Sequence, residues 1–207
     1  MKGKVFIEPI FHGTVKGRIT QFREIMKPQP ITVFYGMPVR GYDNQIGIKD
    51  NKPRYKVGET VYLKEPYYVS NLMVKTTEYK YGSDLPVETI NRVKWKNKLF
   101  MPAKYARYFI KINAVRCERL QDISDEDCFK EGVIKCKYFD EIFYSVPLSN
   151  NFKQYTKTPR YTFSFLIDSI SGRGTWDSNP YVWVYEFTLI SKSFDQILED
   201  NKDILND

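Results

Sequence analysis

A chain of 207 residues with 42% hydrophobic and 28% charged residues has the balance of a folded domain, and its 16% aromatic content excludes disorder throughout. The net charge of +7 is uneven: the last fifteen residues, "SFDQILEDNKDILND", hold five acids and one lysine, and the remaining body carries 31 basic and 20 acidic residues, or +11. Such a body suits an anionic partner such as nucleic acid, although a basic surface can also serve solubility alone.

In chain order, residues 4–11 read as a strand and 14–24 as a short helix that includes "GRITQFRE". From residue 26 to 53 the composition turns to Pro, Gly, Asn and Asp around "ITVFYGMPV", which predicts a hairpin or loop excursion. "YKVGETVYLKEPYYV" places a turn at Gly58 before a strand with Val61, Leu63 and Glu65 on one face and Tyr62 and Lys64 on the other. Residues 70–100 form a second excursion, polar and then basic, and 109–115 are rich in β-formers. In "LQDISDEDCFKEGV", Ser124 is the expected N-cap and Asp127 stands where a capping-box Glu would. Asp125 and Glu126 favour the positive helix end, and Gly132 supplies the stop. Residues 134–160 make a third excursion. "TFSFLIDSISG" then reads as helix, "RGTWDSNP" as a turn and "YVWVYEFTLI" as a fully buried last strand. The final fifteen residues fit a short helix through Ile197, Leu198, Ile204 and Leu205, or an acidic tail. Strands dominate and do not alternate with helices, so the expected class is α+β, with a small, partly open β-barrel and short flanking helices.

Three cysteines, Cys117, Cys128 and Cys136, are odd in number and fit no zinc or redox spacing, which predicts a reducing cytoplasm. No apolar run approaches the ~20 residues that cross a bilayer, so no membrane partner is expected. "MKGKVFIEPIF" lacks the h-region and cleavage site of a signal peptide. His12, the only histidine, excludes a multi-histidine metal centre, and no metal or cofactor is expected.

Five pieces fall in a telling order: "GRITQFRE" (17–24), "YKVGETVYLKEPYY" (55–68), "FMPAKYARYFIKI" (100–112), "RLQDISDEDCFKEGV" (119–133) and "GRGTWDSNPYVWVYEF" (172–187). Together, over about a third of the chain, they resemble the ASCH domain family of the PUA-like superfamily, in its longer bacterial, phage- and prophage-associated form. The resemblance implies a PUA-like, partly open barrel over residues 1–192. It has β-rich insertions near 26–54, 70–100 and 134–160, with 193–207 as an acidic tail or short helix. It also implies a cleft beside the barrel that handles RNA or modified nucleosides. Some small relatives are amidohydrolases of acylated cytidine and use a Lys, a Thr and an acid. Here, aligned on Gly17, the Lys position is Ile19, the Thr position Phe22 and the Arg position Glu24. A shift by one brings Arg18, Gln21 and Arg23 to those places, but a guanidinium is a poor general base. Neither register supplies a proton-accepting amine beside a hydroxyl nucleophile.

The expected function is therefore non-catalytic binding of RNA or another single strand. Arg18, Thr20, Gln21 and Arg23 remain able to hold a phosphate or base edge. The plainer alternative is a solvated helix face with Ile19 and Phe22 in the core. Residues 89–117 add eight basic side chains and no acid, with rings interleaved. Trp95, Lys96, Lys104 and Arg107 there, with Lys64, fit a surface that tracks a backbone and stacks on bases, or a basic hairpin with core rings. The runner-up function is a hydrolase with a rearranged site, in which Glu65 and a displaced lysine, Lys64 or Lys16, act. A third is a protein-interaction module whose acidic tail meets a basic partner. Glu65 reads more readily as half of a structural ion pair, because ion-pair networks also produce buried acids.

Overall fold

Pro9 breaks the opening apolar run, because it suits the first turn of a helix where its missing N–H is not needed. In the computed structural model, which describes residues 1–34, 36–43, 47–69, 74–76, 94–146 and 155–203, strand β1 is accordingly Lys2–Val5 and helix α1 is Glu8–Val15. The strand expected over 4–11 is thus corrected to a shorter strand followed by a helix. The helix expected over 14–24 is corrected as well. Gly17 turns the chain at φ +69°, a conformation open to glycine at little steric cost, and residues Gln21–Ile25 form strand β2. The sheet partner decides this: β2 pairs antiparallel with the last strand from Val182↔Ile25 to Glu186↔Gln21. Ladder hydrogen bonds of that kind override a weak local preference for helix.

The first excursion is a three-stranded antiparallel sheet, β3 (Thr32–Phe34), β4 (Met37–Asp43) and β5 (Gly47–Asp50), so the expected hairpin is present. Strand β6 (Thr60–Lys64) follows the Gly58 turn as expected, and β7 (Tyr67–Val69) pairs antiparallel with β8 (Val74–Thr76). Residues 70–73 and 77–93 of the second excursion lie outside the described residues. Two single 3₁₀ turns, Lys98–Phe100 and Ala103–Tyr105, lead into β9 (Phe109–Arg119), which falls within the strand candidate "RYFIKINAVRCERL" (107–120). Helix α2 (Asp125–Lys130) starts as its sequence dictates: the Asp127 N–H donates to the Ser124 hydroxyl at 3.1 Å. Gly132, at φ +110°, ends it.

The third excursion contains a tight hairpin of β10 (Ile134–Tyr138) and β11 (Glu141–Ser145). Helix α3 (Pro159–Ser171) is capped by Thr158. The expected turn at "RGTWDSNP" is a short helix, α4 (Thr175–Ser178), closed by Asn179 in the left-handed region. Strand β12 (Tyr181–Ile190) has the expected bounds. It is not buried throughout: Val182, Val184, Tyr185 and Phe187 are buried while Thr188 is exposed. Helix α5 (Phe194–Asp203) ends the described chain.

The fold is α+β. Its largest sheet has five strands in the order β1-β6-β9-β12-β2, and among the described residues no pairing closes it into a barrel. The chain divides into two compact units, Met1–Phe6 with Thr60–Ile110 and Leu189–Asp207, and Ile7–Glu59 with Lys111–Thr188. The first unit has a core of Tyr62, Tyr67, Met101, Phe109 and Ile197, the last brought in by α5. In the second, Phe22, Tyr55, Tyr185 and Phe187 form an aromatic knot. Among the described residues, no helix is long and apolar enough to cross a membrane. The three cysteines form no disulfide.

Candidate functional site

The "GRITQFRE" segment belongs to the second unit, and its residues meet different fates. Ile19 and Phe22 are core side chains, 4% and 5% exposed. Thr20, half-buried, is fixed by its backbone, whose N–H donates to the Lys130 carbonyl at 3.0 Å while its own carbonyl accepts from Phe187 at 2.9 Å. Arg18 is exposed and lines a cleft of about 160 Å³ with Pro9, Gly13, Ile19, Phe129 and Gly132.

Gln21 and Arg23 are buried. The Arg23 side chain is 0% exposed, and its guanidinium meets Glu118 at 2.5 Å, Asp127 at 3.5 Å and Glu131 in a close ion pair. Gln21 Nε2 donates to Glu131 at 3.0 Å. Arg116 completes the network: Nε donates to Glu118 at 2.9 Å, Nη1 to Glu186 at 2.7 Å and Nη2 to Asp127. Lys130 adds a contact to Asp127 at 3.1 Å. Three cations thus face four carboxylates, so the cluster is internally compensated and offers no surplus positive charge to a phosphate. Burial pulls the Arg23 guanidinium below its ordinary value, against the upward pull of Glu118 and Asp127. Two of these acids, Asp127 and Glu131, escaped the sequence reading because "DISDEDCFKEG" already accounts for them as a capped helix and its stop.

Asp127 gives this network a pH signature. Burial alone would raise its carboxyl, but hydrogen bonds from Gln21 and Lys130 and the Arg116 charge outweigh it and hold the pKa below the usual range. A depressed folded-state pKa means that the unfolded chain binds the proton more readily. The contribution to stability is then complete above the unfolded carboxyl value and is lost as pH falls from about 4 through the folded value. Asp127→Asn is expected to be less stable at neutral pH and to show a shallower loss below pH 4 in acid denaturation followed by circular dichroism. An acid limb identical to that of the unaltered protein would contradict the assignment.

The remaining expected site residues belong to the first unit. Glu65, 1% exposed, is forked by Arg107, with Nε to Oε1 at 3.0 Å and Nη2 to Oε2 at 2.5 Å. This is the structural ion pair that the sequence favoured. Its neighbour Lys64 points to the opposite face of the strand, as consecutive strand residues do, and Nζ donates to the Leu99 carbonyl at 2.7 Å. Glu65 and Lys64 therefore lie on opposite faces, each with a partner of its own. Lys16 is exposed just past α1, in the second unit. Lys98 is used to bind the Phe6 carbonyl at 2.9 Å.

A different group of side chains faces solvent on the Lys94–Tyr105 stretch. Lys94, Lys96 and Lys104 are exposed, and Lys96 and Lys104 sit 5.9 and 5.1 Å from the ring centroids of Tyr67 and Tyr105. Trp95, half-buried, meets Tyr68 edge to face at 5.5 Å. Phe100, which lies between Lys98 and Lys104 in the sequence, is 76% exposed. Of the nine expected nucleic-acid contacts, Arg18, Thr20, Gln21 and Arg23 lie in one unit and Lys64, Trp95, Lys96, Lys104 and Arg107 in the other. Compared with known protein families, curated proteins and solved structures, the chain matches none. Among the described residues, no group of three or more His, Cys, Asp or Glu side chains is placed to hold a metal ion.

Proposed function

We propose that this protein binds RNA or another single-stranded nucleic acid without catalysis, through the basic and aromatic face of its first unit. On the same reading its α+β core is a PUA-like, partly open barrel of ASCH type, working in the cytoplasm of a bacterium or as a phage product. The exposed Phe100 ring, on the same stretch as the exposed Lys94, Lys96 and Lys104, carries the reading. A folded protein gains nothing in stability from leaving such a ring in water, while base stacking on it and phosphate contact by the lysines use both features. The stretch from Lys94 to Cys117 contains no acid that would oppose a phosphate backbone. Binding is favoured over hydrolysis because Glu65 is already forked by Arg107 and Lys64 leaves by the other face.

Fluorescence anisotropy with labelled single-stranded RNA, single-stranded DNA and duplex DNA over a range of salt tests it. Phe100→Ala is expected to weaken single-strand binding by about 1–3 kcal/mol. Lys96→Ala with Lys104→Ala is expected to flatten the salt slope by roughly 1.4, two phosphate contacts at ~0.7 each. If Arg18→Ala alone weakened binding, the contact would lie in the Arg18 cleft instead. Absence of binding at low salt would end the proposal.

A further inference from the structure

The β10–β11 hairpin carries a feature that the proposed function does not use. Cys136 pairs with Phe143 and Tyr138 with Glu141, so these four side chains share one face of the ribbon. Thr156 bridges to Tyr144, with both backbone N–H groups donating across at 2.9 Å, which sets Tyr155 and Lys157 on that same face. The result is a cleft of about 270 Å³ lined by Cys136, Lys137, Tyr138, Phe143 and Tyr155. Phe143 and Tyr155 stand edge to face, 6.4 Å apart at 78°. Lys157 lies 4.0 Å from the Phe143 ring centroid and is held to Glu141 at 2.5 Å. Tyr138 and Tyr155 remain 68% and 51% exposed. At the tip, Phe139 occupies φ +51°, where a bulky side chain is disfavoured and glycine would be the relaxed choice. The hairpin therefore holds rings in water at a conformational cost.

We propose that this cleft is a stacking site for one nucleobase bearing a phosphate, either a free nucleotide or a single base of a strand. Its volume falls just below the ~300 Å³ at which drug-sized pockets begin, which suits a single planar ring system. Tyrosine walls supply stacking faces. Lys137, which lines the cleft with an exposed ammonium 4.0 Å from Asp140, supplies the charge complementary to the phosphate, since Lys157 is already engaged by Glu141. An aliphatic ligand would leave the tyrosine faces unused, and a bare anion would leave the apolar floor unused. The site lies wholly in the second unit, whereas the Lys94–Tyr105 face belongs to the first.

The test is calorimetric titration of the full chain with the four nucleoside monophosphates, the corresponding nucleosides and inorganic phosphate, followed by a short single-stranded oligonucleotide. At least one monophosphate is expected to bind, with Tyr155→Ala and Tyr138→Ala each weakening it about five- to a hundredfold and Tyr155→Phe retaining it. Phe100→Ala is expected to leave the tyrosine-dependent part of mononucleotide binding in place, so this site and the first unit's face fail independently. Lys137→Ala is expected to weaken nucleotides more than nucleosides. Tighter binding of the oligonucleotide than of any mononucleotide, sensitive to the same tyrosines, would identify a strand as the source of the base. No binding by any mononucleotide or by the oligonucleotide at the tyrosine site would overturn the proposal. So would nucleotide binding indifferent to both tyrosines, or inorganic phosphate binding as tightly as the nucleotides.

Discussion

Arg23→Ala is expected to cost about 3–5 kcal/mol of folding stability in urea denaturation, because it removes the cation that three inward carboxylates share. Glu118, Asp127 and Glu131 would be left close together with little water, and a charge buried without its partner is far costlier than the pair is stabilising. Arg23→Lys retains charge but loses the planar fork that reaches several oxygens at once, so it should fall between alanine and the native protein. Arg116→Ala is the useful contrast. That guanidinium is 36% exposed, water can replace part of its role, and a loss of about 1 kcal/mol is expected. A loss below ~1 kcal/mol for Arg23→Ala would mean that the carboxylates relax into solvent, and the network would not be structural. The same variant must be checked for folding before any loss of nucleic-acid binding is assigned to Arg23.

Phe22→Ala should have an effect of the same size, about 3–5 kcal/mol, for a different reason. Phe22 stacks on Tyr185 at 4.9 Å, meets Tyr55 edge to face at 6.1 Å and lies 5.8 Å from Phe187. Truncation removes the transfer free energy of a phenyl ring and leaves a cavity whose other walls are themselves rigid rings. Tyr185→Phe keeps the ring and loses only the hydroxyl that accepts from the Arg54 N–H at 3.0 Å, which should cost about 1 kcal/mol. Burial pushes the Tyr185 phenol up to about 12, so it stays protonated throughout the range of these measurements. Urea unfolding of both variants separates the packing contribution from the polar one. Equal losses would show that the hydroxyl, and not the ring, holds the knot together.

Much of the fold was legible because its signals are local. Ser124 and Gly132 bracket α2 in the sequence as they do in the structure, since a hydroxyl three residues before an N–H and a glycine after the last turn act over a few bonds. The Gly58 turn, the alternation in β6 and the limits of β12 are of the same kind. Residues 17–24 were misread because Ile19 and Phe22, three apart, fit one side of a helix as well as a turn entering a strand. The partners that choose the strand, Val182 to Glu186, come some 160 residues later. Ile19 and Phe22 reach the core by that other route.

The candidate site divides along the same line. Sequence alone determined the basic body and the acid-free stretch with interleaved rings. Those are properties of composition and order, and folding does not alter them. Only the tertiary structure decided which cations face water. Arg23 is withdrawn by Asp127 from 104 positions away and Arg107 by Glu65 from 42, while Lys96 and Lys104 are left at the surface on the same stretch as Phe100. A guanidinium carries the same charge in every sequence context. Its function depends on whether a carboxylate or the solvent meets it first, and that is settled by packing.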